Sequence, residues 1–123
     1  MTDCTLGEIE AKFADLIWEN EPLASGELVK LCEKELNWKK PTTYTVLRRL
    51  CEKGVLRNEN GIVTSLISRE EYYSAKSERV VEDSYDGSLP AFVAAFLSRG
   101  KLTGKEAEEI QAMIEAFRKE AGV

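Results

Sequence analysis

Apolar residues recur three and four positions apart at Leu6, Ile9, Phe13, Leu16 and Ile17. That spacing predicts an amphipathic helix. Thr5-Leu6-Gly7-Glu8 has the capping-box pattern for its entry, and Pro22 cannot continue it. A second stripe, Leu28, Leu31, Cys32 and Leu36, predicts a shorter helix with Ser25 as its cap. Asn37 to Pro41 is expected to be a turn, with Pro41 keeping Lys40 out of helical geometry. A third stripe, Thr43, Val46, Leu47 and Leu50, predicts a helix with Thr42 as N-cap and Gly54 as the closing glycine.

The period then changes. Val55-Leu56-Arg57-Asn58-Glu59 and Ile62-Val63-Thr64-Ser65-Leu66-Ile67 flank Asn60-Gly61. Asn-Gly between two β-prone runs predicts a tight hairpin, because both turn residues need positive φ. Helical spacing returns after Ser68-Arg69-Glu70-Glu71, a second capping box, and a helix is expected through about Tyr85. Asp86-Gly87-Ser88 interrupts it. Ser88 and Pro90 open a further helix that ends at Gly100, and Thr103-Gly104-Lys105-Glu106 opens the last.

These elements predict a mainly α fold with a small β-hairpin. A winged helix-turn-helix domain (residues 1–68) is followed by a three-helix dimerisation domain (residues 69–123). Three amphipathic helices of that length bury their apolar faces poorly alone. Leu89, Phe92, Val93, Phe96, Ile110, Ile114 and Phe117 are therefore expected to pack against a second copy, giving a homodimer.

Charge sharpens this picture. The net charge is −5, but it is unevenly spread. Residues 1–38 hold three Lys or Arg against nine Asp or Glu, whereas residues 39–57 hold six against Glu52. Acidic regions beyond a Debye length of about 8 Å are largely screened, so the local basic patch decides what binds there.

On the third helix the face opposite the apolar stripe carries Pro41, Thr45, Arg48, Arg49 and Glu52, with Thr42 and Tyr44 at its margins. Short hydroxyls with methyls followed by guanidiniums suit a DNA major groove. Thr42, Thr45, Arg48 and Arg49 are the candidate reading residues, and Lys39, Lys40, Tyr44, Lys53 and Arg57 the candidate phosphate contacts. The alternatives are an amphipathic helix with a solvated basic face, or a winged helix that binds an acidic protein partner. The paired hydroxyls beside Arg48 and Arg49 serve base edges better than carboxylates. One such module reads few base pairs, so a dimer on a palindromic operator in double-stranded DNA is expected.

Other classes fall away. There is no histidine, which removes Cys–His metal sites and histidine-based catalysis. There is no glycine-rich phosphate loop and no convincing acid pair, so an enzyme is not expected. No cofactor or metal is called for. Cys4, Cys32 and Cys51 are scattered and odd in number. With no signal segment and no bilayer-spanning apolar run, a cytoplasmic protein without membrane contact is expected.

Several stretches, in this order, resemble the BlaI/MecI/CopY family of penicillinase, methicillin-resistance and copper-responsive repressors. They are Leu6-Gly-Glu-Ile-Glu10 with Ile17-Trp18, Thr42-Thr-Tyr-Thr-Val-Leu-Arg-Arg-Leu50 with Glu52-Lys-Gly54, Ser68-Arg-Glu-Glu-Tyr72, Gly87-Ser-Leu89, and Leu102 with Lys105-Glu106. The resemblance spans essentially the whole chain. It implies a homodimeric repressor that occludes a palindromic operator. It also implies that Thr42 and Thr45 face the groove, Arg49 lies near phosphate, and Arg48 occupies a position that varies. Family members that sense β-lactams are cleaved at an Asn-Phe bond. Here Ala95-Phe96 stands in that place, so cleavage by the same signalling protease is not expected. Copper-responsive members carry a C-terminal cysteine cluster, and this chain has no cysteine after Cys51. The wing is slightly short for the family, and Thr43 replaces a usual Val or Ile.

Overall fold

The computed structural model describes residues 6–123. Among these described residues six helices and three short strands follow in the order α1 (Glu8–Asn20), β1 (Leu23–Ala24), α2 (Ser25–Leu36), α3 (Lys40–Glu52), β2 (Leu56–Glu59), β3 (Ile62–Ser65), α4 (Arg69–Tyr85), α5 (Leu89–Leu97) and α6 (Gly104–Ala121). The chain divides into a unit ending at Glu78 and a second unit from Arg79 to Val123. The division falls inside α4, ten residues beyond the expected 68/69 boundary.

The first unit is a winged helix. Its core takes in most of the stripes read from the pattern: Phe13, Ile17, Leu28, Cys32, Leu50, Val55, Leu56 and Val63 are all buried, whereas Ile9 in the first turn of α1 is exposed and Leu16, Leu31 and Leu36 are half-buried. Phe13 stacks on Trp38 with ring centroids 5.5 Å apart, so the turn after α2 is pinned to α1. Asn37 adopts a left-handed conformation (φ 56°), and the next amide, Trp38 N–H, bonds back to the Cys32 carbonyl. This closes α2 in two residues and lets α3 start almost at once.

The hairpin forms as the Asn-Gly pair dictates. Asn60 and Gly61 have φ of 54° and 80°, and Glu59 pairs with Ile62 across a two-residue turn. The wing has a third strand that periodicity does not reveal. β1 pairs antiparallel with β3, Leu23 opposite Val63 and Ala24 opposite Ile62, so the sheet order is β1-β3-β2.

Helix entries differ from expectation in three places. The N-cap of α1 is Gly7, and its N–H is taken by Glu10 Oε1 at 3.1 Å, so Glu10 rather than Glu8 reaches back. Thr5 lies outside the described residues. Ala24 is the N-cap of α2, which frees the Ser25 hydroxyl for a long-range partner. The N-cap of α3 is Lys39, not Thr42. Lys40 is its first helical residue and Pro41 its second, a position where the missing N–H costs nothing. Starting α3 three residues early puts Thr42 on the helix as an exposed side chain.

The first turns of α4 belong to the winged-helix unit. Ser68 Oγ caps the helix by accepting Glu71 N–H at 3.0 Å. Tyr72 is buried, with its ring 5.6 Å from that of Trp18. Arg69 bonds to Asp15 and Glu19 at 3.3 Å each and lies over the Trp18 ring.

In the second unit Ser88 caps α5 through Ala91 N–H at 3.1 Å. Thr103 and Glu106 form the reciprocal capping box of α6, at 3.1 and 3.0 Å. Tyr85 and Phe92 meet edge to face. Leu89, Val93, Phe96, Ile110, Ile114 and Phe117 are exposed on this single chain, and Phe92 is half-buried. Among the described residues no helix is long and apolar enough to cross a membrane.

Candidate nucleic-acid interface

Helix α3 is seated by Val46, Leu47, Leu50 and Thr43, all buried, so its orientation about its own axis is determined. Thr42, Thr45, Arg48 and Arg49 are then all exposed, as are Lys39 and Lys40 at its entry. The expected face exists, but its members are not equivalent.

Thr45 Oγ1 donates to the Pro41 carbonyl at 2.9 Å. Its hydroxyl proton is thereby used within the helix, which leaves oxygen lone pairs and the methyl for a ligand. Arg48 points away from the core, and its guanidinium makes no ion pair among the described residues. Tyr44 is half-buried, and its phenol donates to Ser25 Oγ at 3.2 Å. That bond ties α3 to the start of α2, so Tyr44 is a bracket of the helix-turn-helix as much as a surface group.

Arg49 and Lys53 share a partner that sequence reasoning missed. Lys53 Nζ lies 3.1 Å from Glu10 Oε1, and Arg49 Nη1 lies 3.6 Å from Glu10 Oε2. Burial alone would push the Glu10 carboxyl up. The Gly7 N–H bond, the Lys53 ammonium and the Arg49 guanidinium outweigh it and hold the carboxyl below its ordinary value. A signal for this was present. Arg49 and Lys53 are like charges four apart on one helix, a destabilising pair unless an anion sits beside them.

On the wing, Arg57 pairs with Glu59 two residues along the same strand, both well exposed. Residues i and i+2 share a strand face, so this pair was also legible. The pair leaves the hairpin, residues 55–67, with no net charge. Cys51 is half-buried under the wing. Burial pushes its thiol up, the Asn58 backbone opposes this, and Glu52 adds to the rise. Cys32 is buried and likewise raised by burial. Neither thiol is poised for reaction. No cluster of potential metal ligands exists among the described residues.

A winged helix-turn-helix whose core-seated third helix presents hydroxyls and arginines on its exposed face is a DNA-binding domain of the transcriptional-regulator class. The family model for the penicillinase repressor matches residues 6–116, and the chain belongs to that family of DNA-binding transcriptional repressors. It is 27% identical over 117 residues to the penicillinase repressor of Bacillus licheniformis, covering 92% of this chain and 91% of that protein. A solution structure of the B. licheniformis BlaI monomeric form in complex with the blaP half-operator is also similar. It is 26% identical, covers 55% of this chain and 88% of that one, and has a TM-score of 0.48. The family acts by binding DNA and not by catalysis.

Proposed function

We propose that the chain is a cytoplasmic homodimeric repressor that occludes a palindromic operator, each protomer laying α3 in a major groove. The observation that carries this reading is the exposed face of α3, with Thr42, Thr45 and Arg48 opposite a buried Thr43-Val46-Leu47-Leu50 stripe. Thr42 and Thr45 meet thymine methyls and base edges, and Arg48 grips guanine. Lys39 and Lys40 at the helix entry hold phosphate, and Arg57 adds a weaker wing contact because Glu59 neutralises part of its charge. Tyr44 contributes at its exposed margin. Arg49 and Lys53 reach phosphate only as far as Glu10 releases them.

Dimerisation is supported by the exposed apolar residues of α5 and α6, namely Leu89, Val93, Phe96, Ile110, Ile114 and Phe117, together with half-buried Phe92. A monomer would leave this face in water. The test is selection of genomic DNA on the purified protein at about 0.15 M salt, followed by sequencing. An inverted repeat with half-sites about one helical turn apart is the expected result. Binding without sequence preference would overturn operator recognition and favour an acidic protein partner.

A further inference from the structure

Glu10 stands on α1, yet its carboxylate pairs with two cations of the candidate interface, Arg49 of α3 and Lys53 at the helix's C-cap. Its two oxygens are used differently. Oε1 accepts Gly7 N–H and the Lys53 ammonium, both at 3.1 Å. Oε2 is buried and makes no hydrogen bond, and its ion-pair partner is Arg49 Nη1 at 3.6 Å. The carboxylate side chain is only 13% exposed, whereas Arg49 is 53% and Lys53 33% exposed. Glu10 is therefore the enclosed member of the cluster, and the two cations are its more exposed members.

From this geometry we propose that Glu10 sets the sequence-independent affinity of the repressor by withholding Arg49 and Lys53 from DNA phosphate. The proposal rests on the DNA-binding reading above. Paired with the Glu10 carboxylate, Arg49 and Lys53 carry one net positive charge between the three groups, where the two cations alone would carry two. A phosphate that recruits Lys53 must break a hydrogen-bonded ion pair and leave a partly buried carboxylate less compensated. The cations that act without that cost are Lys39, Lys40 and Arg48, none of which makes an ion pair among the described residues. They lie at the start and along the outer face of α3, beside Thr42 and Thr45. Phosphate attraction is common to every sequence, whereas hydroxyl and Arg48 contacts are not. Restraining the cations at the far end of the helix thus lowers affinity for every sequence alike, and leaves a larger share of the binding free energy to the base-reading groups.

This role is separable from a merely structural tie between α1 and α3. A structural tie changes stability. A charge restraint changes the number of phosphates engaged, which the salt dependence of binding counts. The measurement is the slope of log affinity against log salt, between about 50 and 200 mM, on a mixed-sequence duplex. Four chains are compared: native, Glu10→Gln, Lys53→Gln and the double variant, each checked for native helicity and unfolding. Glu10→Gln is expected to steepen the slope by roughly 0.9 to 1.8 per protomer, one or two phosphates more. Lys53→Gln alone is expected to leave the slope unchanged. In the Glu10→Gln background the same change is expected to flatten it by about 0.9 per protomer.

A Glu10→Gln chain that folds and keeps the native slope, or loses slope, overturns the proposal. So does a Lys53→Gln chain that loses about 0.9 per protomer in the native background, since Lys53 would then already be on phosphate. If Glu10→Gln does not fold, Glu10→Asp replaces it. Its carboxylate is one methylene shorter and must still steepen the slope, by less, and no change overturns the proposal. A native chain that binds no duplex at all overturns the DNA-binding reading, and the Glu10 role with it. A native chain that binds, with slopes equal across the variants, overturns the Glu10 role alone.

Discussion

The carboxylate of Glu21 receives the backbone N–H of Ser65 at 2.8 Å and its hydroxyl at 2.9 and 2.8 Å, across 44 residues of sequence. Glu21 follows α1, and Ser65 ends β3. The bond therefore fastens the returning wing strand to the first helix at the point where β3 leaves the sheet. Charge-assisted bonds of this kind contribute about 1.5–3 kcal/mol when both partners are held. Glu21→Ala is expected to lower unfolding free energy by about 1–3 kcal/mol, measured by urea denaturation. Glu21→Gln keeps an acceptor and is expected to lose less. Equal stability of Glu21→Ala and the native chain would show that water replaces the carboxylate without cost.

Thr43 carries the one buried hydroxyl of the α3 seat. It is fully buried, and its Oγ1 has no ordinary hydrogen-bond partner; the polar group it faces is the buried Cys32 thiol, a weak one. A buried hydroxyl so placed costs about 1–3 kcal/mol relative to a satisfied one. Val has nearly the same shape. Thr43→Val is expected to raise unfolding free energy by about 1 kcal/mol, with DNA affinity unchanged because the side chain faces inward. A loss of stability in denaturant titration would mean that the Thr43–Cys32 contact is a net stabiliser.

The stripes of α1 to α3 and the Asn60-Gly61 turn were legible because their causes are local: apolar spacing and positive φ. The α4 to α6 entries at Ser68, Ser88 and Thr103 were legible for the same reason. β1 was not. Leu23-Ala24 has no period of its own and becomes a strand only because Val63 and Ile62 lie opposite. The cap of α3 was misplaced at Thr42 because a threonine after a proline has the usual cap chemistry, while Pro41 in the first turn tolerates an earlier start. The division inside α4 follows from Arg69 and Tyr72 packing on Asp15, Glu19 and Trp18, partners about 50 residues away. At the candidate interface the exposed residues could be read from helical phase. Their inequality was only partly legible: the spacings of Arg49 with Lys53 and of Arg57 with Glu59 pointed to partners, but Glu10 and Ser25 are brought to α3 by tertiary geometry.

The Glu10 cluster makes stability depend on pH in a definite direction. Its carboxyl is held below the ordinary value of 4.5, burial pushing up but the Gly7, Lys53 and Arg49 contacts prevailing. The unfolded chain thus binds the proton more readily than the folded one. The stabilisation is fully present above about 4.5 and is lost as pH falls through the lower folded value. Native protein is expected to lose stability below pH 4.5 faster than Glu10→Gln does, in urea unfolding across an acid series. Parallel curves for the two chains would contradict the cluster.

Phe96 of α5 and Phe117 of α6 are 52% and 65% exposed on the single chain, too much aromatic surface to leave in water without use. Burying the rest of each ring gains about 1–2 kcal/mol, part of the 1.5–3 for a whole side chain. A two-fold interface uses each residue twice. Losing one such ring therefore costs about 2–4 kcal/mol, or roughly a 30- to 1,000-fold weaker dimer. The native chain is expected to sediment as a dimer, and Phe96→Asp and Phe117→Asp as monomers at the same concentration, with helicity retained because neither ring is in the core. DNA binding falls with dimerisation, since a lone α3 reads one half-site. The pair also separates two kinds of failure. A variant that stays dimeric but binds DNA poorly places that phenylalanine outside the dimer contact. A monomeric variant with native operator affinity removes the need for a dimer.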